Sequence, residues 1–343
     1  MDLRVGFLGA GLIATYHSKS LRRSGADVAR AGVFDPDPER AAAFAAVSGH
    51  TVARSPEEVI EGCDAVYVCT WTSEHPRLVK MAAEAGRAVF CEKPLGVDAA
   101  TAAEMNDVVE RAGVVNQVGL ILRRSPVFHM LRSLVHDPRS GGPLAVVFRD
   151  DQYLPTRGAY GSTWRGDSDR AGSGVLLEHS IHDVDLLEWI FGPVRRVSAS
   201  MAENHAIDGI EDVAVATLEF ADGTRGSLIS VWHDLMSRPS NRQVEVFCRT
   251  SRAQLTGEWL GEVEWEFADS AGRTDHTAAE EMLAGTWRGP GGPGENPDGA
   301  FVAAVRAGGP AYPDFGVALR AHRVVEACYR SAATGGESVE VAP

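Results

Sequence analysis

Three places in this chain of 343 residues put chemically useful residue types at useful spacings. The first is Glu178-His179-Ser180-Ile181-His182. On a helix Glu178 and His182, four apart, share a face. A carboxylate beside an imidazole fixes its tautomer and raises its basicity, which makes a general acid/base pair. A packing histidine and a metal ligand are the competing readings. Glu178, His179 and His182 offer ligand atoms, but on a helix His179 points about 100° away from Glu178. No second cluster completes a set, so no metal is expected. The second place is Glu92-Lys93-Pro94, after an apolar run. A lysine against an apolar cofactor face has a depressed pKa and can move or polarise protons; a surface lysine before a turn is the alternative. A Lys-Pro bond can be cis at modest cost. The third is Gly9-Ala10-Gly11-Leu12-Ile13-Ala14, a G-x-G-x-x-[GA] turn, with Asp35 beyond it. Gly9 permits the tight turn, Gly11 lets backbone approach a pyrophosphate, and Ala14 lets a helix pack close. The Leu12-Ile13 amides open that helix, where its dipole favours phosphate. Asp35 can accept from both ribose hydroxyls of NAD and repels a 2′-phosphate. NAD is therefore the preferred cofactor, with NADP possible.

These residues need a scaffold of alternating strands and helices. Leu3–Leu8, Ala29–Phe34, Ala65–Thr70, Ala88–Cys91 and Val114–Leu120 read as strands. Ile13–Ser24, Pro38–Val47, His75–Ala85 and Ala99–Ala112 between them read as helices. That alternation predicts a doubly wound parallel sheet over residues 1–122. Lys93 then lies beyond the carboxyl end of a strand, where such sheets bind ligands. From about residue 123 the pattern changes. Val127–Val135 is helical, Leu144–Asp151 strand-like, and Gly174–Ile190 contains a helix. Val194–Met201, Val213–Phe220, Gly226–Trp232, Gln243–Arg249 and Val263–Phe267 follow as alternating strands. Ala221-Asp222-Gly223-Thr224 is a hairpin turn. Residues 123–343 are thus predicted as an α+β substrate-binding and oligomerisation domain on a large, mostly antiparallel open sheet. Gly285–Gly299 reads as a connecting loop, with a lid or subunit contact as the alternative, and Asp298–Ala307 and Val317–Ala333 read as closing helices. Glu211-Asp212 reads as a strand cap, with lining of the substrate cleft as the alternative, while Trp232-His233-Asp234 is balanced between packing and substrate contact.

Composition narrows the class. Hydrophobic residues are 44% and charged residues 23%, a soluble globular balance, and the net charge of −14 disfavours nucleic acid. No apolar run is long enough for a membrane helix and no leader is evident, so a cytoplasmic location is expected. The five cysteines form no C-x-x-C pair and are expected buried and reduced.

Taken together, the motifs resemble the Gfo/Idh/MocA family, named for glucose-fructose oxidoreductase and inositol dehydrogenase. Glu92-Lys93-Pro94 resembles its E-K-P signature. Thr70-Trp71-Thr72-Ser73-Glu74-His75 resembles T-P-N-x-x-H, with Trp71 and Thr72 departing from Pro and Asn. Val118 to Pro126, with Arg123, resembles the segment ending R-x-x-P. Trp164-Arg165 and Gly172-Ser173-Gly174 resemble the lead-in to the catalytic helix, whose D-x-G-x-H becomes Glu178 to His182. The resemblance runs over essentially the whole chain.

It implies that His182 takes the hydroxyl proton as hydride leaves carbon, with Lys93 stabilising the same oxygen and Glu178 in the usual Asp position. Thr70, Trp71, His75, Glu92, Lys93, Arg123 and Trp164 would contribute to the cofactor site. It also implies a homodimer or homotetramer through the exposed sheet face. The expected activity is hydride transfer between nicotinamide and a secondary alcohol or ketone of a sugar, cyclitol or related polyol. Two rivals are an NAD-dependent glycosidase or lyase working by transient oxidation, and a non-catalytic NAD-binding sensor.

Overall fold

The computed structural model describes residues 2–287 and 290–343. In chain order the first elements are β1 (Leu3–Leu8), α1 (Leu12–Arg23), β2 (Val28–Phe34), α2 (Pro38–Ser48), β3 (Thr51–Val52), α3 (Pro56–Gly62), β4 (Ala65–Val68), α4 (His75–Glu84), β5 (Ala88–Cys91), α5 (Ala99–Ala112) and β6 (Asn116–Val118). Then come α6 (Pro126–Val135), β7 (Pro143–Tyr153), α7 (Ser168–Ala171), α8 (Val175–Glu178), α9 (Ile181–Phe191), β8 (Val194–Ala202), β9 (Val213–Phe220), β10 (Arg225–His233) and β11 (Asn241–Cys248). The chain closes with β12 (Ser251–Thr256), β13 (Glu262–Phe267), β14 (Ala271–Asp275), α10 (His276–Leu283), α11 (Pro297–Ala307), α12 (Phe315–Ala333) and β15 (Val339–Glu340).

Two compact units result: Met1–Leu120 with Glu295–Leu319, and Ile121–Gly294 with Arg320–Pro343. This differs from a single cut after residue 122. The reason is α11, whose Phe301 and Val302 are fully buried in the first unit's core beside Phe7, Tyr67 and Phe90. Tyr67 stacks on Phe7 and on Phe90, each at 4.8 Å, and Phe301 meets Tyr67 and Phe90 edge-on. Burying each such ring contributes about 1.5–3 kcal/mol.

The first unit is a six-stranded sheet in the order β3-β2-β1-β4-β5-β6, with every described pairing parallel. Its register aligns Phe34, Leu8, Val68, Cys91 and Val118 in one row across the carboxyl edge. The residues after that row, Asp35, Gly9, Thr70, Lys93 and Gly119, are therefore delivered to one rim. The order reverses between β1 and β4, the switch point where such sheets bind ligands.

The second unit is a nine-stranded mixed sheet, β14-β13-β12-β11-β7-β10-β9-β8-β15. Among the described residues, only the β7–β10 pairing of this sheet is parallel. Side chains alternate in burial along β9 to β11, so one face carries helices. The Asp222-Gly223 turn joins β9 to β10 as expected, with Gly223 at φ +93°. Helix α10 and strands β12 and β14 were not anticipated, because SRAQLT and AGRTD are polar and carry no strand pattern. The expected loop 285–299 is shorter than the sequence suggested. Asn296 caps α11, accepting from the Asp298 and Gly299 amides, so helix begins at Pro297. Residues 288 and 289 of that loop lie outside the described residues. No described helix is long and apolar enough to cross a membrane. All five cysteines are buried and free.

Candidate active site

The glycine turn is built for close backbone approach. Gly9 has φ +93°, and a Cβ there would lie 2.4 Å from the Cys69 carbonyl oxygen. A Cβ on Gly11 would meet nothing within 4 Å. Gly11 is the N-cap of α1 and supplies no side-chain cap, so the first amides keep their donors outward. Leu12, just beyond, is 66% exposed. An open cradle of outward amides fits the pyrophosphate of a dinucleotide. Asp35 is fixed in orientation: Oδ2 accepts from the Ala10 amide at 2.8 Å and Oδ1 from the Asp37 amide at 2.9 Å. Beside it a cleft of about 320 Å³ runs between the ends of β1, β2 and β4, walled by Phe34, Pro36, Thr70, Trp71, Arg77 and Leu78. Its size and largely apolar wall suit an adenosine.

Lys93 sits two residues past β5, half-buried, and its bond to Pro94 is cis. His75 is expected from the sequence to line the nucleotide site. It is instead fully buried, with Nδ1 facing the Pro94 and Leu95 carbonyls at 3.0 and 3.3 Å. Burial lowers its pKa, so it is a neutral ring whose N–H braces the lysine turn. Glu92 also points inward. Its Oε1 receives His17 Nε2 at 2.8 Å, and its Oε2 accepts the Lys93 amide at 3.2 Å. His17 Nδ1 meets Asp298 Oδ1 at 2.7 Å. Burial alone would push this imidazole down, but Asp298 and Glu92 outweigh it and hold it up at about 10. His17 and Asp298 carry no motif and lie 281 positions apart, so this triad was not legible in the sequence.

In the second unit, the spacing argument for Glu178 and His182 needs correction. The helix is interrupted: α8 ends at Glu178 and α9 starts at Ile181. The His179 and Ser180 amides both fold back to the Val175 carbonyl. An i, i+4 relation on one continuous helix therefore does not hold. Glu178 is fully buried, and its Oε2 accepts from Arg165 Nε at 2.9 Å. The Arg165 guanidinium in turn lies 4.4 Å over the Trp164 ring. His182 opens α9 and is half-buried. Arg123, 8% exposed, grips Asp185 of α9 by Nε and Nη2 at 2.7–2.9 Å.

His179 joins a network that the sequence did not reveal. Its Nε2 lies 2.7 Å from Asp150 Oδ2. Asp150 and Arg242 are cross-strand neighbours on β7 and β11, and buried Arg242 also bonds Asp183 and Glu258. Burial pushes Asp183 up to about 8, against the pull of Arg242. Asp150, His179 and Glu258 bring three ligand atoms within 4.8 Å of one another. The Arg242 guanidinium is shared among Asp150, Asp183 and Glu258, and His179 adds a fourth group, so the arrangement is a buried network of ion pairs. Glu211 caps a helix and not a strand: its carboxylate accepts from the Gly174 and Leu176 amides at the start of α8 and from Tyr329. Asp212 likewise ties down the Asn204 and His205 amides. Trp232 is buried, which favours packing over exposure at that position.

A sheet of this order, with its open glycine turn and a braced lysine beyond β5, defines an NAD-binding oxidoreductase scaffold. The chain belongs to the Gfo/Idh/MocA family. Residues 3–120 match its "Oxidoreductase family, NAD-binding Rossmann fold" model and residues 128–254 its C-terminal domain model. It is 30% identical over 237 residues to a 1,5-anhydro-D-fructose reductase from Ensifer adhaerens, covering 67% of this chain and 68% of that one. It is 31% identical over 232 residues to an inositol 2-dehydrogenase from Cereibacter sphaeroides, covering 66% of each. A levoglucosan dehydrogenase solved with NADH and levoglucosan superposes over 100% of both chains with a TM-score of 0.86 at 21% identity, which shows the shared fold.

Proposed function

We propose that the protein transfers hydride between nicotinamide and a secondary alcohol or ketone of a sugar, cyclitol or related polyol. The carrying observation is Lys93, braced by His75 and Glu92 at the rim that also holds the open glycine turn. The names of the relatives support the substrate class: a reductase of an anhydro-sugar and a dehydrogenase of inositol. Nicotinamide, when bound, supplies the hydride acceptor or donor. In the oxidation direction the substrate C–H leaves as hydride and its O–H proton passes to His182. Lys93 donates a hydrogen bond to the same oxygen and stabilises the developing alkoxide. Glu178, held by Arg165, sets the electrostatics of this acid/base site. Asp35 favours NAD over NADP, because its fixed carboxylate repels a 2′-phosphate. Arg123 and Trp164 are assigned to the cofactor site on the family resemblance alone. The active species is a dimer or tetramer joined through the uncovered sheet face.

The test is NADH absorbance with NAD⁺ or NADP⁺ and a panel of inositols, hexoses, amino sugars and anhydro-sugars, run with the matching ketones and NADH. Turnover of one polyol pair with NAD⁺ is expected. Lys93→Ala and His182→Ala should each lower kcat by roughly two to four orders of magnitude. Near-normal turnover in both variants sinks the assignment. Product formation from a glycoside without net NADH would favour the cofactor-recycling hydrolase or lyase instead.

A further inference from the structure

The triad beneath the lysine turn has a geometry that packing alone does not require. His17 is 1% exposed on the inner face of α1, against the stacked rings of Tyr67 and Phe90 at centroid distances of 5.4 and 4.8 Å. Both its ring nitrogens meet carboxylates, Glu92 on one side and fully buried Asp298 on the other. Tyr16, Tyr67, Cys69 and Cys91 also face this cluster, and burial holds all four in their neutral forms. The imidazolium is thus the counter-charge within the triad.

Glu92 has little freedom. One oxygen is taken by His17, the other accepts the Lys93 amide, and a Cβ at Gly119 would lie 2.3 Å from Oε1. A carboxylate confined on three sides orients the backbone that follows it. Replacing a buried ion pair by apolar residues of similar volume is often neutral for stability. Here, however, one oxygen of the pair holds the amide of the next residue.

We infer that His17 and Asp298 are positioning residues for Lys93, acting through Glu92. Asp298 comes from the α11 segment, so a helix of the chain's last quarter sets the register of the lysine turn. This rests on the proposed role of Lys93 for its catalytic consequence, but its structural consequence is independent of that role.

The chain's only lysines are Lys19, Lys80 and Lys93. The full-length protein labelled with [¹⁵N]lysine therefore gives three backbone amide signals, and Lys93→Arg identifies the one of interest. In His17→Gln and in the isosteric Asp298→Asn, the Lys93 signal should shift or broaden while Lys80, on α4, stays. With the best substrate of the panel and NAD⁺, kcat should fall roughly ten- to a hundredfold, as expected for a misplaced group, with little change in the KM for NAD⁺. A Lys93 signal unmoved in both variants overturns the inference. So does a normal kcat in both when Lys93→Ala has lost activity. If His17→Gln does not fold, Asp298→Asn carries the test. Should Lys93→Ala keep full activity, the functional reading fails, and the lysine signal still decides whether the triad holds the turn.

Discussion

His17 illustrates how much a single side chain can add to a sheet that sequence patterns already predict. The imidazole is held at about 10, against an ordinary value of 6.5, because two carboxylates outweigh its burial. The folded chain therefore keeps a proton that the unfolded chain releases. The stabilisation is whole below pH 6.5 and is lost as the pH rises through 10. Melting temperature measured from pH 6.5 to 10 should fall more steeply for the native chain than for His17→Gln. Equal slopes would mean that the triad is not charged as described. At neutral pH, His17→Ala leaves two buried carboxylates unpaired and should cost about 3–5 kcal/mol in a urea titration. Asp35 shows the opposite case, a residue legible from its position after β2. Asp35→Ser removes the charge facing a 2′-phosphate and should lower the NAD⁺ to NADP⁺ preference in kcat/KM by tenfold or more, of the order of one lost charge-assisted contact. An unchanged ratio would remove Asp35 as the discriminator.

Among the elements, the segments that could be read were those whose period is dictated by burial. Strands β4 and β5, and β1 from Val5 onward, are short apolar runs buried on both faces, and their ends carry Thr70, Lys93 and the glycine turn where the alternation predicts. The break between α8 and α9 was not legible, because VLLEHSIHDVDLLEWIF has continuous helical character. The start of α8 is set from elsewhere in the chain: Glu211 reaches from the segment before β9 to accept the Gly174 and Leu176 amides. Gly174 is pressed against that segment, and a Cβ there would lie 1.9 Å from the Glu211 carbonyl oxygen. Gly174→Ala must displace α8 or the segment, with Glu178 attached. It should lower both melting temperature and turnover. Glu211→Ala, which strips two buried amides of their acceptor, should destabilise by about 1–3 kcal/mol per orphaned group. A stability unchanged by both substitutions would show that α8 is held by packing alone.

At the scale of the whole molecule, the return of α11 to the first unit was hidden because its contacts are with residues some 200 to 290 positions earlier. PDGAFVAAVRA reads as any amphipathic helix, and nothing local says which core receives Phe301. The nine-stranded sheet poses the remaining question. Its helix-bearing face is closed, whereas the other face shows Val147 at 43%, Val215 at 38% and Phe247 at 40% exposure. They stand on β7, β9 and β11, with Ile229 of β10 opposite Val215 in the register. Single exposed apolar residues are ordinary, but apolar side chains recurring on one face of four neighbouring strands suit a subunit interface. The proposed dimer or tetramer follows from this face. Light scattering of the native chain at micromolar concentration should give a mass of two or four times 36.7 kDa. A Val147→Glu, Val215→Glu double variant places charges on the outward face, where a monomer tolerates them within about 0.5 kcal/mol each. Its mass should fall to that of one chain while the far-ultraviolet spectrum is retained. A native chain already monomeric would leave the sheet face without a subunit to cover it and withdraw the assembly proposal, and an unchanged oligomer in the variant would move the interface elsewhere on the molecule.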